Sequence, residues 1–205
     1  MDSSFLISAF VTLFVIIDPI GLTPLFVALT QGVGSRERRI IALHSCLTAF
    51  GVLALFAFLG EAVLTFVGVS MPAFRISGGA LLFLTALDML FERRTKRREG
   101  HAEEEERPDP SVFPLAIPLI AGPGAIATVI LLAGQNPGIT SPLLVLGVAF
   151  AVIMVALAFF LSAGFLERLL GRKGNTVVTR LLGMLLAALA VQFILEGLRD
   201  FGFSG

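Results

Sequence analysis

Six apolar stretches follow one another along the chain, separated by short segments in which polar residues, glycine and proline are concentrated. A helix that crosses the hydrocarbon core of a bilayer needs about 20 consecutive apolar residues, and each stretch is long enough to supply them. The pattern therefore predicts six membrane-spanning helices, at approximately residues 4–30, 40–67, 72–91, 112–134, 142–166 and 176–198.

The overall composition supports this prediction. Hydrophobic residues make up 56% of the chain and charged residues only 15%, whereas about 25% of a typical soluble domain is charged. The formal net charge is zero and the basic residues are not interleaved with aromatic ones, so nucleic acid is not a predicted partner. The expected fold class is an all-α membrane protein embedded in the lipid bilayer.

One segment of the chain is strongly polar. Residues 92–111 mix acidic and basic side chains with glycine and proline, and they connect the third predicted helix to the fourth. Such a composition is typical of a solvated linker. The predicted organisation is a first three-helix unit at 1–91, the charged linker at 92–111 and a second three-helix unit at 112–205.

The basic residues predict how the helices are oriented. With six crossings, the connections after the first, third and fifth helices share one side, and 13 of the 15 Lys and Arg residues belong to that side. If the first and fourth stretches re-entered the membrane without crossing it, 10 Lys and Arg residues would lie on one side of the membrane and 5 on the other. Cytoplasmic segments carry an excess of Lys and Arg, so we expect six crossings, a cytoplasmic linker and both termini outside the cytoplasm.

The two halves of the chain resemble each other at an offset of 102 to 105 residues. "DPIGLTPLFVALTQ" from Asp18 matches "GPGAIATVILLAGQ" from Gly122, and "RISGGALLFLTAL" from Arg75 matches "RLLGMLLAALAVQ" from Arg180. Because each unit crosses the membrane three times, the second copy must be inserted upside down. The prediction is a 3+3 inverted repeat, a plan in which transporters place their site near the midplane.

The first and fourth predicted helices contain residues that interrupt helices. These are Pro19, Gly21 and Pro24 in the first helix, and Pro118 with the "AGPG" of residues 121–124 in the fourth. Proline lacks an amide donor and glycine permits the backbone to unwind. Each freed backbone group would cost several kcal/mol in hydrocarbon, so this backbone must face protein or a polar cavity. We expect both helices to be broken near the midplane.

A broken helix exposes unpaired amides and a partial positive charge at its new N-terminus. We expect the second halves to begin near Leu22 and Ala125 and to approach the midplane from opposite faces. Their N-termini suit a carboxylate, and the carbonyls released before each break suit an ammonium group, so the predicted substrate is a small zwitterion. The candidate substrate-binding residues are Asp18, Pro19, Ile20, Gly21, Thr23, Gly122, Pro123, Gly124, Ala125 and Thr128.

Asp18 is the strongest polar signal, because a carboxylate inside the membrane costs roughly 2.5–3.5 kcal/mol on insertion scales and usually lines a functional cavity. It could hold the substrate ammonium or exchange a proton. It could also cap the second half-helix by accepting from the amides near Gly21, and the two roles are compatible. Thr23 and Thr128 either line the cavity or bond to their own helix. Gln192 either reaches the site or ties two helices together, and the tie is the expected role.

Small residues predict one close helix contact. The "SGGA" of residues 77–80 lies in the third predicted helix, and Gly183 lies in the sixth. Helices that present small residues to each other can bring their backbones close together. We therefore expect the third and sixth helices to pack against each other.

Catalytic signatures are missing from the sequence. It has no HExxH pair, no GxSxG elbow, no P-loop lysine and no paired carboxylates within the apolar stretches. We therefore expect a protein that is not an enzyme and that holds no cofactor or metal. Uphill transport would need a gradient of an ion such as H⁺ or Na⁺, and the sequence does not decide between these ions or whether the chain forms a homo-oligomer.

Four segments carry a family resemblance: "DPIGLTPLF", "RISGG", "PLAIPLIAGPGAIA" and "RLLGMLLAALAVQFILEG". Over nearly its whole length the chain resembles the MarC family of six-span bacterial and archaeal inner-membrane proteins, which includes the SnatA-type small neutral amino acid transporters. The resemblance implies a multi-pass inner-membrane protein related to the LysE-type exporter superfamily. Only the SnatA-type members supply the amino acid assignment.

These observations lead to one expected function and two alternatives. The expected function is secondary transport, in the direction of export, of small neutral amino acids such as Gly or Ala by alternating access. Broken helices also build selectivity filters, so a channel for small solutes is the first alternative. The second is a membrane scaffold or regulator without transport, in which the breaks are flexible joints.

Overall fold

A computed structural model describes residues 3–30, 32–91, 110–135 and 138–202, without the side chains of residues 3, 164–173 and 175. These residues form helices joined by short turns, and the part of the chain that is described contains no strand. Residues 92–109, which make up most of the predicted linker, lie outside the described residues, so the linker stays a prediction.

The helices follow the order of the apolar stretches. They are α1 (Ser3–Ile17), α2 (Pro19–Leu29), α3 (Ser35–Val67), α4 (Met71–Leu90), the π-helical segment α5 (Ser111–Ile120), α6 (Pro123–Ala133), α7 (Thr140–Leu161) and α8 (Ala163–Asp200). Length and composition allow five spans, formed by α1 with α2, by α3, by α4, by α7 and by residues 176–200 of α8. The bent pair α5 and α6 gives a sixth span if it crosses the membrane as one unit and does not re-enter on the same side. The prediction of an all-helical, multi-pass membrane protein is confirmed.

Some helices extend beyond the predicted apolar stretches. Helix α3 begins at Ser35 and α8 at Ala163, earlier than the predicted 40 and 176, and α7 ends at Leu161 and not at 166. An α-helix satisfies its own backbone hydrogen bonds in water as well as in lipid, so it can continue past the apolar part that hydropathy detects. The break between α7 and α8 falls at Ser162, whose hydroxyl donates to the Ala158 carbonyl at 2.6 Å.

Helices α4 and α8 pack closely along most of their lengths. Glycines make this close approach possible, as the position of a Cβ added to each of them shows. Such a Cβ would lie 2.8 Å from Ala190 O if built on Gly79, 2.9 Å from Met89 Cβ if built on Gly183, and 3.0 Å from Pro72 O if built on Gly197. Residue numbers rise along one helix as they fall along the other, so the pair is antiparallel. The predicted contact between the third and sixth helices is confirmed, although Gly78 faces Leu131 of α6.

The interrupted spans form the interior of the bundle. Helix α6 contacts α1, α3, α4 and α7, and α2 contacts α7 and α8. From Gly124 to Ala133 every residue of α6 except Ile126 is buried. Helix α3 instead presents large apolar side chains outward, with Phe66 91% exposed, as expected for a surface that faces lipid. The fold thus surrounds the two interruptions with other helices.

Candidate functional site

The first interruption is a single residue. Asp18, between α1 and α2, has φ 55° and ψ 63°, and among the described residues it is the only non-glycine with positive φ. Its amide still donates to Phe14 O at 2.9 Å, and the Leu22 amide donates to its carbonyl at 2.9 Å. These hydrogen bonds continue through the interruption. Together α1 and α2 are long and apolar enough to form one membrane span.

The Asp18 side chain caps helix α2. Its Oδ1 accepts from the Gly21 amide at 3.0 Å, and the residue is fully buried. A Cβ on Gly21 would lie 2.1 Å from Asp18 Oδ2, so any larger residue would displace the carboxylate from this position. The predicted capping role is confirmed. Helix α2 begins at Pro19 and not near Leu22, because proline suits the first helical position, where no intrahelical amide bond is needed.

The second interruption is longer and differently built. Phe113 and Ile117 have extended backbone within α5, and the peptide bonds that follow them are cis. The Leu115 amide reaches back five residues to Pro110 O at 3.2 Å, the carbonyl that Pro114 cannot use because it has no amide hydrogen. The sequence predicted a break here but not that the segment before it would depart from the α-helix. Between α5 and α6 the chain bends by 56°.

Helix α6 begins without a side-chain cap. Gly122 occupies the N-cap position in extended backbone, and Pro123 is the first helical residue, ahead of the predicted Ala125. The Ile126 amide donates to Gly122 O at 3.0 Å, which leaves the preceding amides of Gly124 and Ala125 without an intrahelical acceptor. This N-terminus therefore has donors and a partial positive charge but no acidic side chain of its own.

The two interruptions lie close together in the interior. A Cβ built on Gly124 would be 3.4 Å from Ile16 Cγ2, two residues before Asp18, and 3.2 Å from Leu82 Cδ2 of α4. The first turn of α6 therefore packs against the end of α1. Asp18 and Thr128 are both fully buried, so both are closed off from the surface.

The predicted substrate-binding residues differ in their surroundings. Six are buried: Asp18, Pro19, Thr23, Gly124, Ala125 and Thr128. Three are half-buried, namely Ile20, Gly21 and Gly122, and Pro123 is exposed. The interior part of the set is therefore centred on the Asp18 cap and on the first turns of α6, and their role in binding stays a prediction.

The polar side chains near the interruptions also differ. The Thr23 hydroxyl donates to Pro19 O at 2.8 Å, in its own helix, which was one of its two predicted roles. The Thr128 hydroxyl is buried and has no hydrogen-bond partner among the described residues. Gln192 is exposed and bonds to Glu196 of its own helix at 2.9 Å, so the prediction that it ties two helices together is wrong.

The structure adds three residues that the sequence argument did not select. The Arg38 guanidinium lies over the Phe26 ring, 5.3 Å from its centre, and Phe26 stacks on Phe160 with ring centres 4.5 Å apart and an interplanar angle of 10°. The sequence placed Arg38 only among the charges that set orientation. In the alignment of the two halves, Phe26 matches Ile130. This aromatic residue in only one half was the feature of the sequence that could have drawn attention to Phe26.

Acidic, histidine and cysteine side chains are scattered in the bundle. In the described ranges, no group of three or more is placed to hold a metal ion. Around the two interruptions, the described residues therefore provide the Asp18 carboxylate, the uncapped N-terminus of α6 and the Thr128 hydroxyl, groups whose chemistry suits a small polar molecule.

Comparisons with known proteins extend over nearly the full length. The family model of MarC family integral membrane proteins matches residues 3–201. The chain is 36% identical over 204 residues to the membrane protein YvbG of Bacillus subtilis, covering 97% of this chain and 96% of that protein. It is 40% identical over 200 residues to a membrane protein of Archaeoglobus fulgidus, covering 96% and 93%.

A third relative bears on cellular location. The inner membrane protein YhgN of Escherichia coli is 36% identical over 199 residues, covering 95% of this chain and 96% of that protein. No solved structure matches the chain. The family match, the coverage of these relatives and the apolar helices agree, and the chain belongs to the MarC family of integral membrane proteins.

Proposed function

We propose that the chain is a secondary transporter of small neutral amino acids such as Gly or Ala, working as an exporter by alternating access. The observation that carries the proposal is Asp18, a fully buried acidic residue at a helix interruption inside an apolar span, next to the uncapped N-terminus of α6. Export and the amino acid class are expectations from the resemblance to SnatA-type proteins.

The energetics of Asp18 favour a role beyond capping. An acidic residue at this depth costs roughly 2.5–3.5 kcal/mol on insertion scales, whereas a helix N-cap contributes about 1 kcal/mol. Serine or asparagine would cap α2 at much lower insertion cost. The excess cost is accounted for if the carboxylate also binds a cation, and the ammonium group of an amino acid is such a cation.

The two interruptions divide the recognition of a zwitterion between them. The Gly21 amide of α2 already donates to the Asp18 carboxylate, so this N-terminus does not need a second anion. Helix α6 has no acidic cap, so its first amides are the better place for the substrate carboxylate. Asp18 then holds the ammonium group, and the Thr128 hydroxyl is available to either end of the substrate.

The close packing supports a small substrate. Ile16 and Leu82 already approach Gly124, so a substrate at the α6 N-terminus has room for little more than a hydrogen or a methyl group as its side chain. Buried residues around Asp18 also favour a site that opens to one side at a time over a continuously open channel.

The pattern of helix contacts supports the inverted repeat. If α1 and α2 correspond to α5 and α6, α3 to α7 and α4 to α8, each contact should occur twice. Contacts α3–α6, α3–α5 and α4–α6 have the counterparts α7–α2, α7–α1 and α8–α2, whereas among the described residues α1–α6 and α1–α8 have no comparable counterparts in α5–α2 and α5–α4. In the proposed arrangement the interruptions lie near the midplane, the linker is cytoplasmic and both termini are outside, as the charge distribution favours.

Counterflow in reconstituted vesicles tests the transport proposal. Vesicles loaded with unlabelled glycine should accumulate labelled glycine when they contain the wild-type chain. Asp18→Asn should lower this flux about 100-fold, because removing one partner of a buried ion pair is strongly unfavourable. Glu196→Gln, which removes an acid bonded to Gln192, is the matched control and should leave the flux unchanged. A wild-type protein that moves no amino acid would reject the proposal.

A second variant tests the position of the substrate carboxylate. Gly124→Leu should abolish flux, because the added side chain meets Ile16 and Leu82 where the substrate would bind. Gly51→Leu is the control, since a Cβ on Gly51 meets nothing within 4 Å. Equal flux in both variants would place the binding site elsewhere.

A further inference from the structure

Arg38 lies at the beginning of α3 and has no anionic partner among the residues that the structure describes. Its Nε and Nη2 are buried, and neither makes a hydrogen bond to any described residue. A guanidinium has five N–H donors and no acceptor, and buried charged donors without acceptors are unfavourable. The Phe26 ring covers one face of the group and leaves the donors at its edge available. The geometry therefore suits an added acceptor, and a carboxylate matches the planar guanidinium best.

The aromatic stack of Phe26 and Phe160 lies next to Arg38 in the bundle interior. Phe26 is fully buried and Phe160 is 2% exposed. The Phe26 carbonyl also accepts from the Thr30 hydroxyl at 2.7 Å, which holds the last turn of α2 in place. Phe26 lies eight residues after Asp18, so the stack lies about 12 Å along the helix axis from the buried carboxylate.

Arg38 and the stack lie on a defined side of the molecule. Phe50 contacts Phe150, with ring centres 5.6 Å apart, while Arg38 and Phe160 meet through Phe26. Residue numbers therefore rise along α3 as they fall along α7, and the two helices are antiparallel. The stack is at the end of the bundle where α2 and α7 finish and α3 begins.

Among the described residues, the positions that correspond to Phe26 and Arg38 in the second half carry no aromatic ring and no cation. The counterpart of Phe26 in the repeat is Ile130, which packs on Gly60 of α3, where a Cβ would lie 2.5 Å from Ile130 Cγ1. Near the position that corresponds to Arg38 is Ser141, whose hydroxyl donates to Leu132 O at 3.3 Å. The second half therefore has aliphatic packing and a neutral hydrogen bond at these positions.

We propose that Phe26 and Phe160 form a gate on the α2 side of the bundle, and that Arg38 is the first residue to bind the carboxylate of an amino acid entering from that side, by donating hydrogen bonds to it. This inference rests on the proposed function, which places that side in the cytoplasm. Arg38 binds the carboxylate at the mouth, and movement of the Phe26 ring from Phe160 then admits the substrate toward Asp18.

Transport measured separately from each membrane face tests the role of Arg38. In vesicles with uniformly oriented protein, Arg38→Gln should raise the half-saturating glycine concentration on the Arg38 face about tenfold, since charge-assisted hydrogen bonds are lost. The value on the opposite face should change less than twofold. Arg38→Lys should give an intermediate value, because lysine keeps the charge but not the bidentate geometry.

Arg39→Gln is the matched control, because Arg39 is the exposed neighbour of Arg38 and its substitution makes the same change in charge. Equal effects of Arg38→Gln and Arg39→Gln, or equal effects on both faces, would overturn the assignment of Arg38. If the wild-type chain moves no amino acid, the proposed function fails. If it transports while Arg38→Gln behaves like wild type, only the present inference fails.

The gate has its own test. Phe160→Ala should allow labelled glycine to leak from loaded vesicles at several times the wild-type rate in the absence of external substrate, because the ring that closes the interior is gone. Phe150→Ala removes an aromatic contact on the same helix and should not cause a leak. A conservative Phe160→Leu variant, if the alanine variant fails to fold, should show a smaller leak. No leak in any folded Phe160 variant would overturn the gate.

Discussion

The two interrupted spans begin from similar sequences and reach different structures. In the first, one left-handed residue separates α1 from α2, and its carboxylate supplies an anion to the N-terminus of α2. In the second, extended residues and a bend of 56° separate α5 from α6, whose N-terminus has no side-chain cap. One helix end therefore has its anion built in and the other does not. This difference is the one on which the proposed recognition of a zwitterion depends: an acidic side chain at one helix end and unpaired amides at the other.

The largest expected effect separates the charge of Asp18 from its capping role. Asp18→Ala should lower glycine flux more than about 100-fold and the free energy of unfolding by about 1 kcal/mol. Asp18→Asn should lower flux equally but leave the thermal unfolding temperature in detergent near that of wild type, because asparagine also caps helices. Full flux in the asparagine variant would mean that Asp18 is only a cap.

The next effect tests the second interruption. A Cβ on Gly122 would lie 2.5 Å from Pro118 O, a backbone atom that cannot rotate away. Gly122→Ala should therefore lower the free energy of unfolding by about 1–3 kcal/mol, as overpacking does in other cores. Thermal unfolding in detergent measures the change, with Gly51→Ala as the control in open space. An unchanged unfolding temperature would contradict the packing described at this break.

The corresponding change in the first interruption should affect function more than stability. In Gly21→Ala the new Cβ meets the Asp18 carboxylate, a side chain that can rotate away at the cost of its hydrogen bond to the Gly21 amide. We expect about a tenfold loss of flux and less than about 1 kcal/mol of destabilisation. A larger loss of stability than in Gly122→Ala would reverse the comparison between the two breaks.

The smallest effects should come from two threonines at related positions. Thr23 donates to Pro19 O within its own helix, whereas the buried Thr128 hydroxyl has no partner in the described part of the chain. Thr128→Val should lower glycine flux a few-fold without destabilising the protein, because a buried hydroxyl without a partner does not stabilise the fold. Thr23→Val should leave flux unchanged. Equal flux in the two variants would remove Thr128 from the site.

Local sequence was sufficient for the features whose causes are local. Asp18 followed by Pro19 and Gly21 predicted the cap, because the carboxylate, the first helical position and the free amide lie within one turn. Glycines in the third and sixth stretches predicted the α4–α8 contact, because small residues act through the backbone itself.

Features that depend on distant packing were not predicted. The role of Arg38 depends on where Phe26 and Phe160 lie after α2, α3 and α7 have packed. The surface position of Gln192 depends on the rotation of α8 about its own axis, which an apolar helix with weak periodicity does not reveal. The π-helical shape of α5 results from prolines four residues apart, and their individual tendency to break a helix did not specify which geometry would replace it.

The glycine contacts between α4 and α8 also bear on how the bundle can move. At the glycines the two helices approach so closely that few side chains between them can change rotamer. We therefore expect α4 and α8 to move as one rigid pair, which the Arg75–Asp200 ion pair also connects at one end. If the proposed transport cycle exposes Asp18, we expect the movement to occur where α2 and α7 meet through the Phe26 and Phe160 side chains, and not between α4 and α8.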